Sequence, residues 1–213
     1  MAVRTFRLIT EADARQLEPG STVELERGGH VTPLAKDTLA ARRVTVVPAG
    51  TVDPALPADL APVSPVRRVV IGSDHTGLAL RAAIVTALRQ SAIAVTDVGA
   101  QSTDAVDYPD VAAAVGRAVS RGEADAGIVI DGSGLASAMA ANKLRGVRAA
   151  MCQTPTLARY AREHMGANVL ALGSTLLGPA DAIEIVKTWM GTAMTEARYL
   201  RRLVKVRRLE DGR

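Results

Sequence analysis

The hydrophobic pattern beyond residue 66 alternates between short, mostly apolar runs and longer stretches with an apolar residue every three or four positions. The short runs are 68–73, 94–99, 126–132, 147–152 and 167–173. The helical stretches lie near 77–90, 110–121, 134–143, 155–164 and 179–190. Short apolar runs of this kind are typical of strands that are buried on both faces. The pattern therefore predicts an α/β fold, with an open five-stranded parallel sheet in a Rossmann-like α/β/α sandwich.

Residues 1–48 have a different pattern, which predicts a small α+β segment. Thr10 followed by Asp13 is a helix-start signal ahead of ADARQL, and TVELERG alternates as a short strand does. The stretch 31–47 predicts a turn, a helix and a closing strand. A unit of about 48 residues buries little surface, so it is expected to pack, dimerise or dock onto a partner. Residues 30–47 resemble a short TP-x-A-x-D region of several bacterial microcompartment-associated proteins, which implies an assembly partner; a plain packing module is the alternative.

Half of the ten prolines fall between Pro48 and Pro65. Each proline removes a backbone donor and restricts the residue before it, so this stretch predicts an extended linker. The predicted organisation is a docking or packing unit at 1–48, a proline-rich linker at 49–66 and a main domain at 67–213 that ends in a helical arm.

Composition narrows the classes of function. The net charge is +4, but seven of the 26 Lys and Arg residues lie in 198–213, and the rest of the chain is nearly neutral. Basic groups confined to one terminal segment, with only 2% aromatic residues, argue against nucleic-acid binding. No apolar run reaches the roughly 18 residues of a membrane span, and the N-terminus lacks the apolar core of a secretory signal. Cys152 is the single cysteine, so the cytoplasm is the expected compartment.

The residues after each predicted strand are the candidates for chemistry, because ligands bind beyond the carboxyl ends of parallel strands. Asp74 and His75 follow the first strand, where Asp74 either binds a ligand or caps the next helix. Tyr108 follows the second strand and faces the same edge. Arg198 and Arg202 share one helical face of the terminal segment, which is either a solvated face or an anion-binding arm.

The loop after the third strand, Asp131-Gly132-Ser133-Gly134, carries the clearest chemical signal. Its glycines let the backbone approach a ligand, and its amides can point at a developing oxyanion. Asp131 at its base could take a proton from a carbon beside a carbonyl, although an N-cap aspartate on a tight turn is the alternative. His164 ends the helix before the fifth strand, where the helix dipole tolerates a cation and a structural role is the alternative.

Taken in order, these motifs resemble the ribose-5-phosphate isomerase B and galactose-6-phosphate isomerase family over about residues 67–210. The motifs are GSDHTG, DYPD, the GSG loop followed by AANK, REH with ANVLALG, and the terminal arginines. The resemblance implies interconversion of a phosphorylated aldose and ketose, ribose 5-phosphate and ribulose 5-phosphate first, through a cis-enediolate. It implies no metal and no cofactor, and a homodimer or tetramer with sites shared between subunits.

The resemblance also implies a role for each matching residue. Asp131 would be the base, His164 would open the sugar ring, and Ser133 would belong with Gly132 and Gly134 to the oxyanion loop. The remaining substrate-binding residues would be Asp74, His75, Tyr108, Asn142, Arg198 and Arg202.

This sequence departs from the family pattern at the proposed base. The family commonly has a cysteine where Asp131 stands, and another branch has a glutamate where Ser137 stands. A carboxylate serves as the base if partial burial raises its pKa toward neutrality. Met165 replaces a common asparagine, and Thr175 replaces a common phosphate-binding arginine. These changes leave a second hypothesis open, a family member that binds sugar phosphates or serves an assembly without turnover.

Overall fold

The computed structural model describes residues 4–49 and 60–212, which fall into two compact units. The smaller unit comprises residues up to Leu60 together with Thr195–Val206, and the larger comprises Ala61–Met194 with the last residues from Arg207. This division differs from the predicted one at both ends of the main domain. Residues 61–66 pack with the larger unit, where Val66 is buried in the core, and residues 50–59 of the predicted linker lie outside the described residues.

The smaller unit contains a three-stranded parallel sheet in the order β1-β2-β3. Its elements are β1 (Thr5–Ile9), α1 (Glu11–Gln16), β2 (Thr22–Val31), α2 (Pro33–Ala41) and β3 (Thr45–Pro48). The predicted helix start is confirmed, since Thr10 and Asp13 form a reciprocal capping box at α1. The helix and closing strand predicted within 31–47 are also present. Strand β1 was not predicted.

The C-terminal helix α8 (Ala197–Glu210) begins in the smaller unit. Strand register places Thr5, Glu24 and Val47 on one face of the small sheet, opposite the face that packs on α1 and α2. Glu24 and Val47 are nevertheless buried, and so are Tyr199, Leu200 and Leu203 of α8. The first turns of α8 and this second face of the sheet thus belong to the same compact unit.

The larger unit contains the predicted five-stranded parallel sheet, in the order β5-β4-β6-β8-β7. Its strands are β4 (Arg68–Ser73), β5 (Ala94–Asp97), β6 (Ala126–Asp131), β7 (Ala149–Met151) and β8 (Val169–Gly173). Its helices are α3 (Leu78–Gln90), α4 (Tyr108–Ser120), α5 (Leu135–Ala141), α6 (Pro155–Met165) and α7 (Pro179–Gly191). Every boundary lies within two residues of the predicted one. Among the described residues, no helix has the length and apolar character needed to cross a membrane.

Helices cover both faces of this sheet with aliphatic side chains, as the composition requires. Residues of α3, α6 and α7 form one core cluster with the sheet, and residues of α4 and α5 form the other. The connection after β4 runs to β5 on one side, and the connection after β6 runs to β7 on the other, so the topological switch point lies between β4 and β6. The fold thus presents the loops after β4 and β6 next to each other, where a ligand is expected.

A fully buried arginine joins three parts of the larger unit. The Arg162 guanidinium donates to the carbonyl oxygens of Ala167 at 2.8 Å and Val63 at 2.6 Å, and it lies 4.7 Å from the centroid of the Trp189 ring. Burial, with repulsion from Arg148, lowers the pKa of Arg162 to about 10. No carboxylate of the described ranges pairs with it. Carbonyl oxygens and an aromatic face therefore stabilise this cation.

We expect Arg162→Ala to lower the free energy of unfolding by about 3 kcal/mol, because it leaves a cavity beside Trp189 and two carbonyls without their donor. Urea denaturation measures the loss. The control is Arg159→Ala on the same helix, which removes an exposed ion pair with Glu163 and is expected to cost about 0.5 kcal/mol. Equal losses in the two variants would contradict the anchoring role of Arg162.

Candidate active site

Three loops meet at the carboxyl edge of the larger sheet, and hydrogen bonds hold them together. They follow β4 (Asp74–Thr76), β6 (Asp131–Gly134) and β8 (Ser174–Thr175). The Ser174 amide donates to the carbonyl of Asp131 at 2.8 Å, and the Thr175 amide and hydroxyl donate to the carbonyl of Gly132 at 3.0 and 2.6 Å. The hydroxyls of Ser174 and Thr76 are 3.3 Å apart. The loop after β8 therefore fixes the glycine loop and is itself linked to the loop after β4.

Position 134 requires a glycine, both for its backbone conformation and for the lack of space around it. Its φ is +78°, in the left-handed region that side chains with a Cβ disfavour. A Cβ at this position would also lie 2.8 Å from the carbonyl carbon of Leu172. Gly134 lets the loop turn sharply against β8, so that the amides after Asp131 converge on one point.

The point on which they converge is the carboxylate of Asp131 itself. Its Oδ1 accepts hydrogen bonds from the amides of Ser133 at 2.7 Å and Gly134 at 2.6 Å, and from the Ser133 hydroxyl at 3.3 Å. Its Oδ2 accepts one from the amide of Ser137 at 2.7 Å. Asp131 is only 4% exposed. The predicted base and the predicted oxyanion donors are thus bound to each other.

These contacts decide the acidity of Asp131. Burial alone would raise the pKa of this carboxyl, but the hydrogen bonds from Ser137, Gly134 and Ser133 outweigh it and hold the pKa below its ordinary value. The hydrogen-bonded arrangement therefore lowers the pKa of Asp131, where the sequence suggested a rise toward neutrality. In this conformation Asp131 is a weak base.

The loop after β4 contributes a second carboxylate and a histidine. Oδ1 of Asp74 accepts the amide of Thr76 at 2.9 Å and its hydroxyl at 2.6 Å, so Asp74 caps the 3-10 turn His75–Gly77. This is the capping role that the sequence left open. Nδ1 of His75 accepts the amide of Val106 at 3.2 Å, so Nε2 carries the proton of the neutral ring. That bond also brings the loop before Tyr108, the first residue of α4, to the same edge.

His164 and Asn142 lie at the opposite edge of the sheet. Strand register pairs Asp131 with Gly173, the last residue of β8, whereas His164 ends the helix that leads into the start of β8. The length of β8 therefore separates His164 from Asp131 by about 13 Å within one chain. The Asn142 carboxamide is bonded in both directions to the backbone of Ala149, at 2.9 and 2.8 Å, and holds the start of β7.

Arg198 and Arg202 belong to the smaller unit. The guanidinium carbons of Arg198 and Arg202 lie 4.8 and 5.6 Å from the centroid of the Tyr199 ring. Arg198 also donates to the Tyr199 hydroxyl at 3.0 Å and lies 3.7 Å from a carboxylate oxygen of Glu196. The two predicted phosphate ligands are thus held close together on one aromatic ring, which preserves their shared face.

Sequence reasoning missed the polar side chains that fix the glycine loop. The Thr175 hydroxyl binds the Gly132 carbonyl, and Ser174 beside it contacts Thr76 of the GSDHTG motif; their position just after β8 is the signal that could have identified Ser174 and Thr175. Ser137 was noted only as a replacement for glutamate, yet its hydroxyl is completely buried and lacks a hydrogen-bond partner in the described structure. No group of three His, Cys, Asp or Glu residues in the described ranges is arranged to hold a metal ion.

Comparison with known proteins gives the same family at the level of sequence and of structure. The family model for ribose/galactose isomerases matches residues 69–206. Ribose-5-phosphate isomerase B of Escherichia coli is 37% identical over 147 residues, which cover 69% of this chain and 99% of the relative. Among solved structures, ribose-5-phosphate isomerase B of Clostridium thermocellum matches with a TM-score of 0.67 and 41% identity, over 68% of this chain and 98% of that one.

A third similar protein was solved with a sugar phosphate. The ribose-5-phosphate isomerase B of Mycoplasma genitalium with bound ribulose 5-phosphate matches with a TM-score of 0.66 and 38% identity, over 68% of this chain and 97% of that one. These matches span nearly the whole of each relative and cover the sheet that carries the Asp131 loop. The chain therefore belongs to the ribose/galactose isomerase family, with residues 1–68 as an N-terminal extension.

Proposed function

We propose that this chain interconverts ribose 5-phosphate and ribulose 5-phosphate. The observation that carries the proposal is the Asp131-Gly132-Ser133-Gly134 loop, placed at the switch point of a sheet that matches isomerases over nearly their full length. A proton acceptor and convergent amide donors are the parts that such a reaction requires. Because the family is one of isomerases, turnover is favoured over a role in binding alone.

In the proposed reaction Asp131 takes the proton from C2 of the open-chain aldose. The electron pair of that C–H bond forms a C1–C2 double bond, and the carbonyl electrons move onto O1, which gives a cis-enediolate. The amides of Ser133 and Gly134 stabilise the charge on O1. Return of the proton to C1, with transfer of the O2 proton to O1, yields the ketose. This scheme uses only a carboxylate and backbone amides, with no metal or cofactor.

The substrate would extend from the glycine loop across the carboxyl edge. Asp74, whose Oδ1 caps its own turn, and Tyr108 would contact the sugar hydroxyls. The Nε2–H of His75 would donate to the phosphate. Thr175 carries no charge and is committed to the Gly132 carbonyl, so the phosphate needs arginines from elsewhere.

A second copy of the chain would complete each site. Within one chain, about 13 Å of strand separates His164 from Asp131, so the two cannot act on the same sugar carbons. In a two-fold dimer, His164 of one copy can face the glycine loop of the other. The same symmetry would let Arg198 and Arg202 reach the partner's phosphate.

The first expected outcome concerns the base. Asp131→Asn should lower kcat for ribose 5-phosphate about a thousandfold, because a carboxamide cannot accept the C2 proton. Formation of ribulose 5-phosphate measures the loss. The control is Asp125→Asn, which removes a carboxylate just before the same strand, bonded to Arg68 and to backbone amides, and should leave kcat unchanged. An Asp131→Asn enzyme with undiminished kcat would show that another group is the base.

The second expected outcome concerns the shared site. Heterodimers of one Asp131→Asn chain and one His164→Asn chain, isolated with two affinity tags, should have about half the activity of the wild type, since one of their two sites is intact. The control places both substitutions in one chain and pairs it with a wild-type chain, so that each site has one defect and activity is lost. The reverse pattern would mean that each chain holds a complete site.

A further inference from the structure

The donors that the proposed reaction needs for O1 are already occupied by the Asp131 carboxylate. Oδ1 of Asp131 takes the amides of Ser133 and Gly134 at 2.7 and 2.6 Å, and Oδ2 takes the amide of Ser137 at 2.7 Å. A substrate oxygen and the Asp131 carboxylate cannot use the same N–H groups at once. The base and the oxyanion therefore compete for one set of donors.

A second feature is the Ser137 hydroxyl in the first turn of α5. It is 0% exposed and makes no hydrogen bond of normal geometry in the described structure. It lies close enough to the Asp131 carboxylate to lower the pKa of that group. Because a buried hydroxyl without a good acceptor is costly, this contact is one that a shift of the carboxylate could improve.

We propose that the Asp131 carboxylate is a displaceable occupant of the oxyanion loop, which the sugar oxygen replaces as the carboxylate turns toward the C2 proton. This inference rests on the proposed isomerase function and deepens it. The exchange conserves hydrogen bonds, because O1 takes the amides of Ser133 and Gly134 that Oδ1 releases. The carboxylate keeps its burial while Oδ1 loses the two amides that stabilise its charge.

The exchange accounts for catalysis by a carboxylate that is a weak base at rest. Hydrogen bonds to the charged form lower the pKa of Asp131, and burial opposes them. Once the amides of Ser133 and Gly134 have moved to the substrate, two of the contacts that lower the pKa are lost, while burial and the Ser137 contact remain, so the carboxyl becomes more basic. Substrate binding would then activate the base, and the free enzyme would hold its carboxylate inactive. A thiol at this position is a weak acceptor and would leave the amides open.

The test measures binding rather than turnover. The probe is a four-carbon aldonohydroxamate with a terminal phosphate, whose planar hydroxamate copies the enediolate, and calorimetry gives its Kd. Asp131→Ala removes the occupant and its charge. Asp131→Asn removes the charge but keeps an oxygen that can accept the Ser133 and Gly134 amides. We expect Asp131→Ala to bind the probe about tenfold more tightly than Asp131→Asn, a difference of about 1.4 kcal/mol.

The controls separate the possible failures. A polyol phosphate that lacks the hydroxamate should bind equally to wild type, Asp131→Ala and Asp131→Asn, because it does not use the loop amides. Equal affinity of Asp131→Ala and Asp131→Asn for the hydroxamate would overturn the exchange while leaving the isomerase proposal intact. A folded wild type that binds neither probe would overturn the proposed function itself. Asp131→Cys replaces the alanine variant if that variant does not fold, and the same tenfold difference is expected.

Discussion

The hydrogen bonds between the Asp131 carboxylate and the amides that follow it shape the carboxyl edge of the larger sheet. Strand β6 is buried along its whole length, so the chain leaves it with backbone donors in a place that water barely reaches. Asp131 satisfies three of those donors, and Gly134 supplies the left-handed turn that brings two of them onto one oxygen. The loops after β4 and β8 then close around this turn through Thr76, Ser174 and Thr175. One carboxylate thus has a structural role at the position proposed for the base.

The other catalytic candidates are distributed by the direction of the strands. A parallel sheet sends every strand end to one edge and every strand start to the other. Asp74, His75 and Asp131 lie at the first edge, and Asn142 and His164 lie at the second. An active site shared between two copies of the chain would combine residues from both edges, because a two-fold axis can bring opposite edges of two copies together. The smaller unit adds a separate feature, since it buries Tyr199 next to the two arginines of α8. A docking role for residues 1–48 stays a prediction.

The loop after β8 supports the loop that contains Asp131. Thr175 uses both its amide and its hydroxyl on the carbonyl of Gly132, and the Ser174 amide binds the carbonyl of Asp131. The loop after β8 therefore stabilises the glycine loop through its backbone carbonyls and brings no positive charge of its own. A negative side chain in the loop and the absence of a guanidinium beside it both disfavour anions at this edge.

The sequence by itself determined the strands, the helices and their order, because burial on both faces leaves apolar runs and surface helices leave a periodic pattern. It also determined the Thr10 cap and the strand-end motifs, since these depend on residues only a few positions apart. The short β1 strand was missed because its alternation is weak; Arg7 and Leu8 are exposed. Only the tertiary structure decided that Arg162 is buried without a carboxylate partner and that α8 begins in the smaller unit. It also decided that the pKa of Asp131 is lowered and not raised. Each of these depends on partners brought together by folding, and the balance between burial and hydrogen bonding at a carboxylate cannot be read from residue types alone.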